Sequence, residues 1–245
     1  MSAILFASLL VLCGCANICP KNKITETCSN STSLRHHKCE DSQNQSDIVT
    51  TTYREPQNIA LLEQEIKAWY SSGGYERSMD QVGNKASQYL TTCKDIPGKL
   101  AVVMDIDETA LSNWKMEMGE NFSVSKKSLD EWQSKSEAVA IEPTLRLFNQ
   151  AKKQNMATFF LSGRKEKFRI PTEENLKKVG YRNWTKTIFK PNDSEAPTTQ
   201  FKTEERKKIE ESGYRIVLNL GDQYSDFGAY ADKNFKYPNP FYYVP

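Results

Sequence analysis

The sequence predicts an α/β protein built on a largely parallel central sheet, and two patterns predict it. Short apolar runs suited to buried strands recur at 100–104, 157–161, 186–189 and 215–220, with amphipathic segments of helical period between them at 145–153, 172–179 and 203–211. Three of these runs also end in polar tips, Asp105/Asp107, Ser162/Arg164 and Asp222/Asp226. In sheets of this class ligands sit at the carboxyl ends of the strands, so tips more than a hundred residues apart in sequence should meet in space.

Taken in order, the chain opens with a segment unlike the rest. Residues 2–20 carry no charged side chain, and the apolar run 4–11 leads into Leu12-Cys13-Gly14-Cys15-Ala16. Residues 1–15 therefore read as a signal peptide, and the protein as secreted or held in the cell envelope. Cys15 after Gly14 also resembles a lipoprotein box, which would attach the chain to a membrane through a lipidated Cys15. Residues 16–55 are rich in Asn, Ser, Thr, Lys and Cys and lack a periodic apolar pattern, as in a polar arm outside the core. Past the leader, Cys19, Cys28, Cys39 and Cys93 form an even set, which suggests disulfide bonds in an oxidising compartment; three pairings are open. His36 and His37 are the only histidines and read as a solvated pair. Histidine is thus not expected to be the catalytic group.

The folded domain is expected over 56–245. Ile59, Leu62, Ile66 and Tyr70, then Met79, Val82, Ala86, Tyr89 and Leu90, recur at helical spacing around Ser72-Gly73-Gly74, predicting two helices joined by a turn. The strands and helices named above follow. Between the first acidic tip and the next core helix, residues 113–143 are too few for a large cap and predict a small insertion over a fairly open site. Trp114, Phe122 and Trp132 in it have two readings, stacking on a bound ring or packing insertion to core, and packing is preferred.

Composition sets the outer limits. The chain has 245 residues, enough for one sizeable core, with 38% hydrophobic and 26% charged residues. A net charge of +2 does not argue for a nucleic-acid partner or an anionic membrane surface. The basic clusters Lys152-Lys153 and Arg206-Lys207-Lys208 read as solvated helix faces.

The tips carry the chemistry. In Asp105-Ile106-Asp107-Glu108-Thr109, two carboxylates follow directly on a buried strand, where burial is costly unless a cation or hydrogen bonds compensate. A hard divalent ion with oxygen ligands, Mg²⁺ foremost, would do so. Gly221-Asp222-Gln223-Tyr224-Ser225-Asp226 ends another apolar strand and adds two more carboxylates. Phosphate in such a pocket needs donors and positive charge, which Ser162, the backbone at Gly163 and Lys202 can supply.

These motifs resemble the haloacid-dehalogenase-like (HAD) superfamily in its secreted acid phosphatase branch, subclass IIIB. That branch holds bacterial acid phosphatases and plant acid phosphatases related to vegetative storage proteins. The residues that carry the likeness are Val103-Met104-Asp105-Ile106-Asp107-Glu108-Thr109-Ala110-Leu111-Ser112-Asn113, Phe160-Leu161-Ser162-Gly163-Arg164, Phe201-Lys202-Thr203-Glu204-Glu205-Arg206 and Gly221-Asp222-Gln223-Tyr224-Ser225-Asp226-Phe227, in that order. The segment Pro238-Asn239-Pro240-Phe241-Tyr242-Tyr243 is similar to the plant-type ending.

The resemblance implies a HAD-like Rossmannoid fold with N-terminal helices and a small cap insertion, and a Mg²⁺-dependent acid phosphatase acting on small-molecule phosphomonoesters. It implies Asp105 as the nucleophile that becomes an aspartyl phosphate, and Asp107 as general acid and then base. Mg²⁺ would be held by Asp105, Asp107 through its backbone carbonyl, and Asp222. Asp226 and Thr109 would support that set, and Ser162, Gly163 and Lys202 would bind the phosphoryl oxygens. Arg164 has two readings, a loop anchor or a direct substrate contact. Two rivals stand beside the enzyme: a storage or binding protein of the same fold with little turnover, and a metal-dependent glycosyltransferase using Asp105/Asp107.

Overall fold

A computed structural model describes residues 56–245. The expected leader at 1–15, Cys15, the arm at 16–55, Cys19, Cys28, Cys39, His36 and His37 lie outside the described residues. Cys93 is buried at the end of a helix.

Asn58 opens the first helix, α1 (Ile59–Ser71), its side chain accepting the Ala60 amide at 2.9 Å. The chain turns at Gly73, whose φ of 75° favours glycine, and enters α2 (Gly74–Thr92). The central strand β1 (Lys99–Met104) follows, then the short β2 (Leu111–Ser112), α3 (Trp114–Gly119), α4 (Lys126–Lys135) and β3 (Val139–Ala140). After these come α5 (Glu142–Lys153), β4 (Ala157–Lys165), α6 (Arg169–Lys178), β5 (Lys186–Lys190), α7 (Thr198–Glu211), β6 (Tyr214–Gly221) and β7 (Asn234–Lys236).

The main sheet has the order β5-β4-β1-β6-β7, and all its pairs are parallel. The chain runs from β1 outward through β4 to β5, then returns to the other side of β1 at β6. That reversal places the ends of β1 and β6 at a topological switch point, where a crevice opens. Strand β1 alternates between two apolar layers, as its period of two requires. Leu100, Val102 and Met104 pack with α2, α5 and α6 through Met79, Leu90, Leu147, Phe148 and Leu176. Ala101 and Val103 pack on the opposite face with Phe201 and Ile209 of α7.

The expected strands and helices are present, and several extend further than the periodicity showed. β4 runs on through Ser162-Gly163-Arg164 to Lys165, with an irregular register against β5 between Ser162 and Lys165. α7 begins at Thr198, so Lys202 lies inside it. β7 and the antiparallel β2–β3 pair were not expected, because strands of two or three residues carry too little alternation to read. Among the described residues, no helix is long and apolar enough to cross a membrane.

One reading is corrected. Arg206 is not part of a solvated helix face: it is 0% exposed. Its guanidinium donates to the carbonyls of Asp226 (2.7 Å) and Ala229 (3.0 Å) and to Thr203 Oγ1 (3.0 Å), tying α7 to the loop after β6. Lys207 and Lys208 are exposed, pairing with Glu211 and Glu205. The helical period puts Arg206 on the inward side, and its hydrogen bonds make that burial tolerable. Arg206→Leu should therefore lower unfolding free energy by about 3 kcal/mol, because the freed carbonyls stay buried. Lys207→Leu should change it by less than about 0.5 kcal/mol. Urea unfolding of the two variants measures the contrast.

Candidate active site

Asp105 follows β1 and Asp222 follows β6, so the pairing of these two strands sets the carboxylates side by side. The Asp105 amide continues the ladder by donating to the Leu220 carbonyl at 2.9 Å. Carboxylate oxygens of Asp105, Asp222 and Asp226 lie within 4.8 Å of one another, all three residues buried. Asp226 reaches this point through a tight turn, its Oδ2 accepting the amides of Asp222 (3.0 Å) and Gln223 (2.8 Å). Gly221 lies so close to the Asp226 side chain that a Cβ there would overlap it. Glycine is needed at 221 for close approach.

Lys202 answers part of this negative charge. Its ammonium donates to Asp105 Oδ1 and, at 2.5 Å, to Asp226 Oδ1, with all three side chains almost fully buried. Burial alone would lower the lysine, but the two aspartates outweigh it and hold Lys202 above its ordinary value. Asp105 is pushed well above the usual carboxylate range by burial and by Asp226, Asp222 and Asp107, against the pull of Lys202. Its Oδ2 has no hydrogen-bond partner among the described residues, and the residue lines a cavity of about 410 Å³.

Asp107 is held differently. Arg164 grips it with two parallel hydrogen bonds, Nε to Oδ2 at 2.9 Å and Nη2 to Oδ1 at 2.8 Å, and a third from Nη1 reaches Thr172 Oγ1 at 2.9 Å. Asn113 Nδ2 adds a bond to Asp107 Oδ1 at 2.7 Å. Burial would raise Asp107, but the Arg164 charge and these hydrogen bonds prevail and keep its carboxyl below the usual range.

Asp222 accepts Thr109 Oγ1 at 3.1 Å on Oδ1, and the amides of Gln223 (2.8 Å) and Asn239 (2.7 Å) on Oδ2. Burial and Asp226 push it up to about 6. Four aspartates face two cations here, leaving two negative charges unmatched among oxygen donors. A divalent cation suits that donor set and that charge.

Most of the expected residues therefore converge. Asp105, Asp107, Gly163, Arg164, Lys202, Asp222 and Asp226 line one cavity, with Thr109 behind Asp222. Ser162 is the exception. It is 0% exposed and is not part of the cavity wall; its Oγ accepts the Arg164 amide at 3.1 Å. Of the aromatic residues, Trp114 packs, stacked on Tyr70 with ring centroids 3.6 Å apart. Trp132 Nε1 donates to Asn113 Oδ1 at 2.7 Å, while Phe122 lines the cavity. Sequence reasoning gives no site role to Asn113 or Asn239, and for Trp132 it offers stacking or packing but not this hydrogen bond. Asn113 closes the first quoted motif and Asn239 lies between two prolines, but only contacts reveal what they hold.

The chain from 24 to 245 matches the family model of the HAD superfamily, subfamily IIIB (acid phosphatase). It is 33% identical over 187 residues to acid phosphatase 1 of Solanum lycopersicum, covering 73% of each chain. It is 36% identical over 183 residues to the stem 28 kDa glycoprotein of Glycine max, covering 71% of this chain and 72% of that one. A shorter match, 32% over 148 residues, covers 58% of this chain and 55% of vegetative storage protein 1 of Arabidopsis thaliana. The class C acid phosphatase of Bacillus anthracis shares the fold, with a TM-score of 0.63 at 24% identity over 75% of this chain and 86% of that one. A parallel sheet with two acidic strand ends, a family match over most of the length and plant relatives above 30% identity lead to one assignment: the chain belongs to the HAD superfamily, subfamily IIIB, of acid phosphatases.

Proposed function

We propose that this protein is an exported, Mg²⁺-dependent acid phosphatase that hydrolyses small-molecule phosphomonoesters through an aspartyl phosphate on Asp105. The observation that carries this reading is the free Oδ2 of Asp105, set in a cavity wall with its other oxygen on Lys202. In the first half of the reaction Asp105 Oδ2 bonds to phosphorus and the bond to the alcohol oxygen breaks, with Asp107 giving that oxygen a proton. In the second half Asp107 takes a proton from water as the water oxygen bonds to phosphorus. The bond to Asp105 then breaks and releases inorganic phosphate. The paired hydrogen bonds from Arg164 favour the ionised form of Asp107, the form suited to this second half. The form needed in the first half arises when phosphate charge competes for the guanidinium and raises Asp107.

Lys202 and the amide at Gly163 bind phosphoryl oxygens, and Arg164 anchors Asp107. Ser162 contributes by fixing the Arg164 backbone. Mg²⁺ would be held by the carboxylates of Asp105 and Asp222 and the Asp107 carbonyl, shielding the approach of one anion to another. Asp226 has both oxygens engaged by Lys202 and backbone amides, which suits a supporting place. The aspartates and Lys202 converge in one cavity, and this favours turnover over a storage role alone.

The catalytic domain is 56–245, behind a polar arm at 16–55 and a cleaved leader at 1–15, with Cys15 a candidate for lipid attachment. Export draws support from the uncharged apolar leader and from two soybean relatives named as stem glycoproteins. Asn121, Asn183 and Asn192, each in an Asn-x-Ser/Thr triplet, are exposed, as glycosylation requires.

Asp105→Asn should cut kcat on p-nitrophenyl phosphate by about 10³-fold or more, and a rapid acid quench should find no acyl phosphate in that variant. Undiminished turnover would remove the nucleophile. Asp107→Asn should slow turnover by about 10²–10⁴-fold, because proton transfer is lost in both halves. EDTA should abolish the wild-type rate and Mg²⁺ restore it, while Thr109→Val should raise the Mg²⁺ needed for half activity by about tenfold or more. A Mg²⁺ titration of the rate reads both.

A further inference from the structure

Beyond its acidic end, the same cavity has a different lining. Met116, Val124 and Leu129 come from the insertion, with Phe122 beside them, and Tyr242 and Val244 come from the C-terminal segment. Gln223 clips that segment in place, donating to the Tyr242 carbonyl at 3.3 Å and accepting the Val244 amide at 3.2 Å. Apolar and aromatic side chains of this kind form a slot for a ring.

Two lining residues interrupt the apolar surface. Glu117 of α3 is 3% exposed and Gln133 of α4 is 7% exposed, and both line the cavity. No described residue gives either side chain a hydrogen bond or an ion pair. Every other acid of the cavity is tied by arginine, lysine, amide or hydroxyl donors. Both side chains open onto the cavity rather than being sealed from it, and two polar groups without protein partners on one cavity wall are met when a ligand brings partners.

Their chemistry narrows the ligand. The Gln133 amide offers both a donor and an acceptor. Burial and then Asp107 raise Glu117 to about 7, so below that it is a neutral acid that also donates and accepts. Neutral groups of both kinds are complementary to an amide or a hydroxyl. We propose that Glu117 and Gln133 form a leaving-group subsite that selects aromatic phosphomonoesters whose ring carries a neutral amide or hydroxyl. This rests on the phosphatase reading above and makes Glu117 and Gln133 specificity-determining residues for it.

The test compares phenyl phosphate with 4-(carbamoylmethyl)phenyl phosphate, in which a methylene insulates the amide from the phenolic oxygen. The wild-type enzyme should favour the amide ester in kcat/KM by about tenfold or more. That ratio should fall by at least about fivefold in Glu117→Leu and in Gln133→Leu, and Glu117→Gln should keep most of it. The two leucine variants lie on different helices, so a folding failure in one leaves the other decisive, and the wild-type ratio itself decides if both fail. Equal ratios in wild type and the two leucine variants, or no preference for the amide ester in wild type, overturn the subsite while Asp105-dependent hydrolysis of phenyl phosphate leaves the phosphatase reading intact. Undiminished hydrolysis of both esters by Asp105→Asn defeats that reading, and the subsite falls with it.

Discussion

Four carboxylates gathered at the ends of two adjacent parallel strands repel one another, and much of the surrounding structure answers that repulsion. Asp105 and Asp222 are neighbours because β1 and β6 pair, and Asp226 joins them through the turn that Gly221 allows. Lys202 and Arg164 supply two positive charges, one from α7 and one from β4. The remaining negative charge has no protein partner, which is why an oxygen-rich pocket of this kind suits a divalent ion.

The positions of the two cations are themselves held. Arg206 locks α7 to the loop carrying Asp226, so the Lys202 ammonium is delivered by a helix that cannot shift along the sheet without breaking buried hydrogen bonds. Arg164 is braced by Thr172 of α6, and Asp107 by Asn113, itself held by Trp132 of the insertion. A side chain fixed at both ends loses little freedom when a substrate arrives, and that is the physical content of preorganisation. The two parts of the cavity divide along the same line. Strand ends and α7 provide the charged centre, whereas the insertion and the C-terminal segment provide the surface a leaving group would meet. Loops and insertions vary without disturbing the sheet, so such a division lets specificity change while the chemistry stays.

Much of this was readable beforehand, for identifiable reasons. The runs at 100–104 and 215–220 stood out because a strand buried on both faces is continuously apolar, and the acids after them stood out against it. Lys202 was found through its motif and Asp226 through its spacing from Asp222. Arg206 was misread because a basic triplet looks the same whether one member faces inward or all face water. Only the buried carbonyls around it show which. Ser162 lies in the expected segment, but it is fully buried within the strand and its hydroxyl oxygen accepts the Arg164 amide.

The sequence by itself determined the alternation of strand and helix and the two acidic tips, since each is a local pattern of residue type and period, while Lys202 joined them through the motif that resembles the family's. Tertiary structure alone decided the Arg164–Asp107 pair, the Asn239 and Thr109 contacts to Asp222, and the meeting of Glu117 and Gln133 on one cavity wall. Those depend on strand order and on how helices rest on the sheet. These are properties of long-range packing, which no window of neighbouring residues contains.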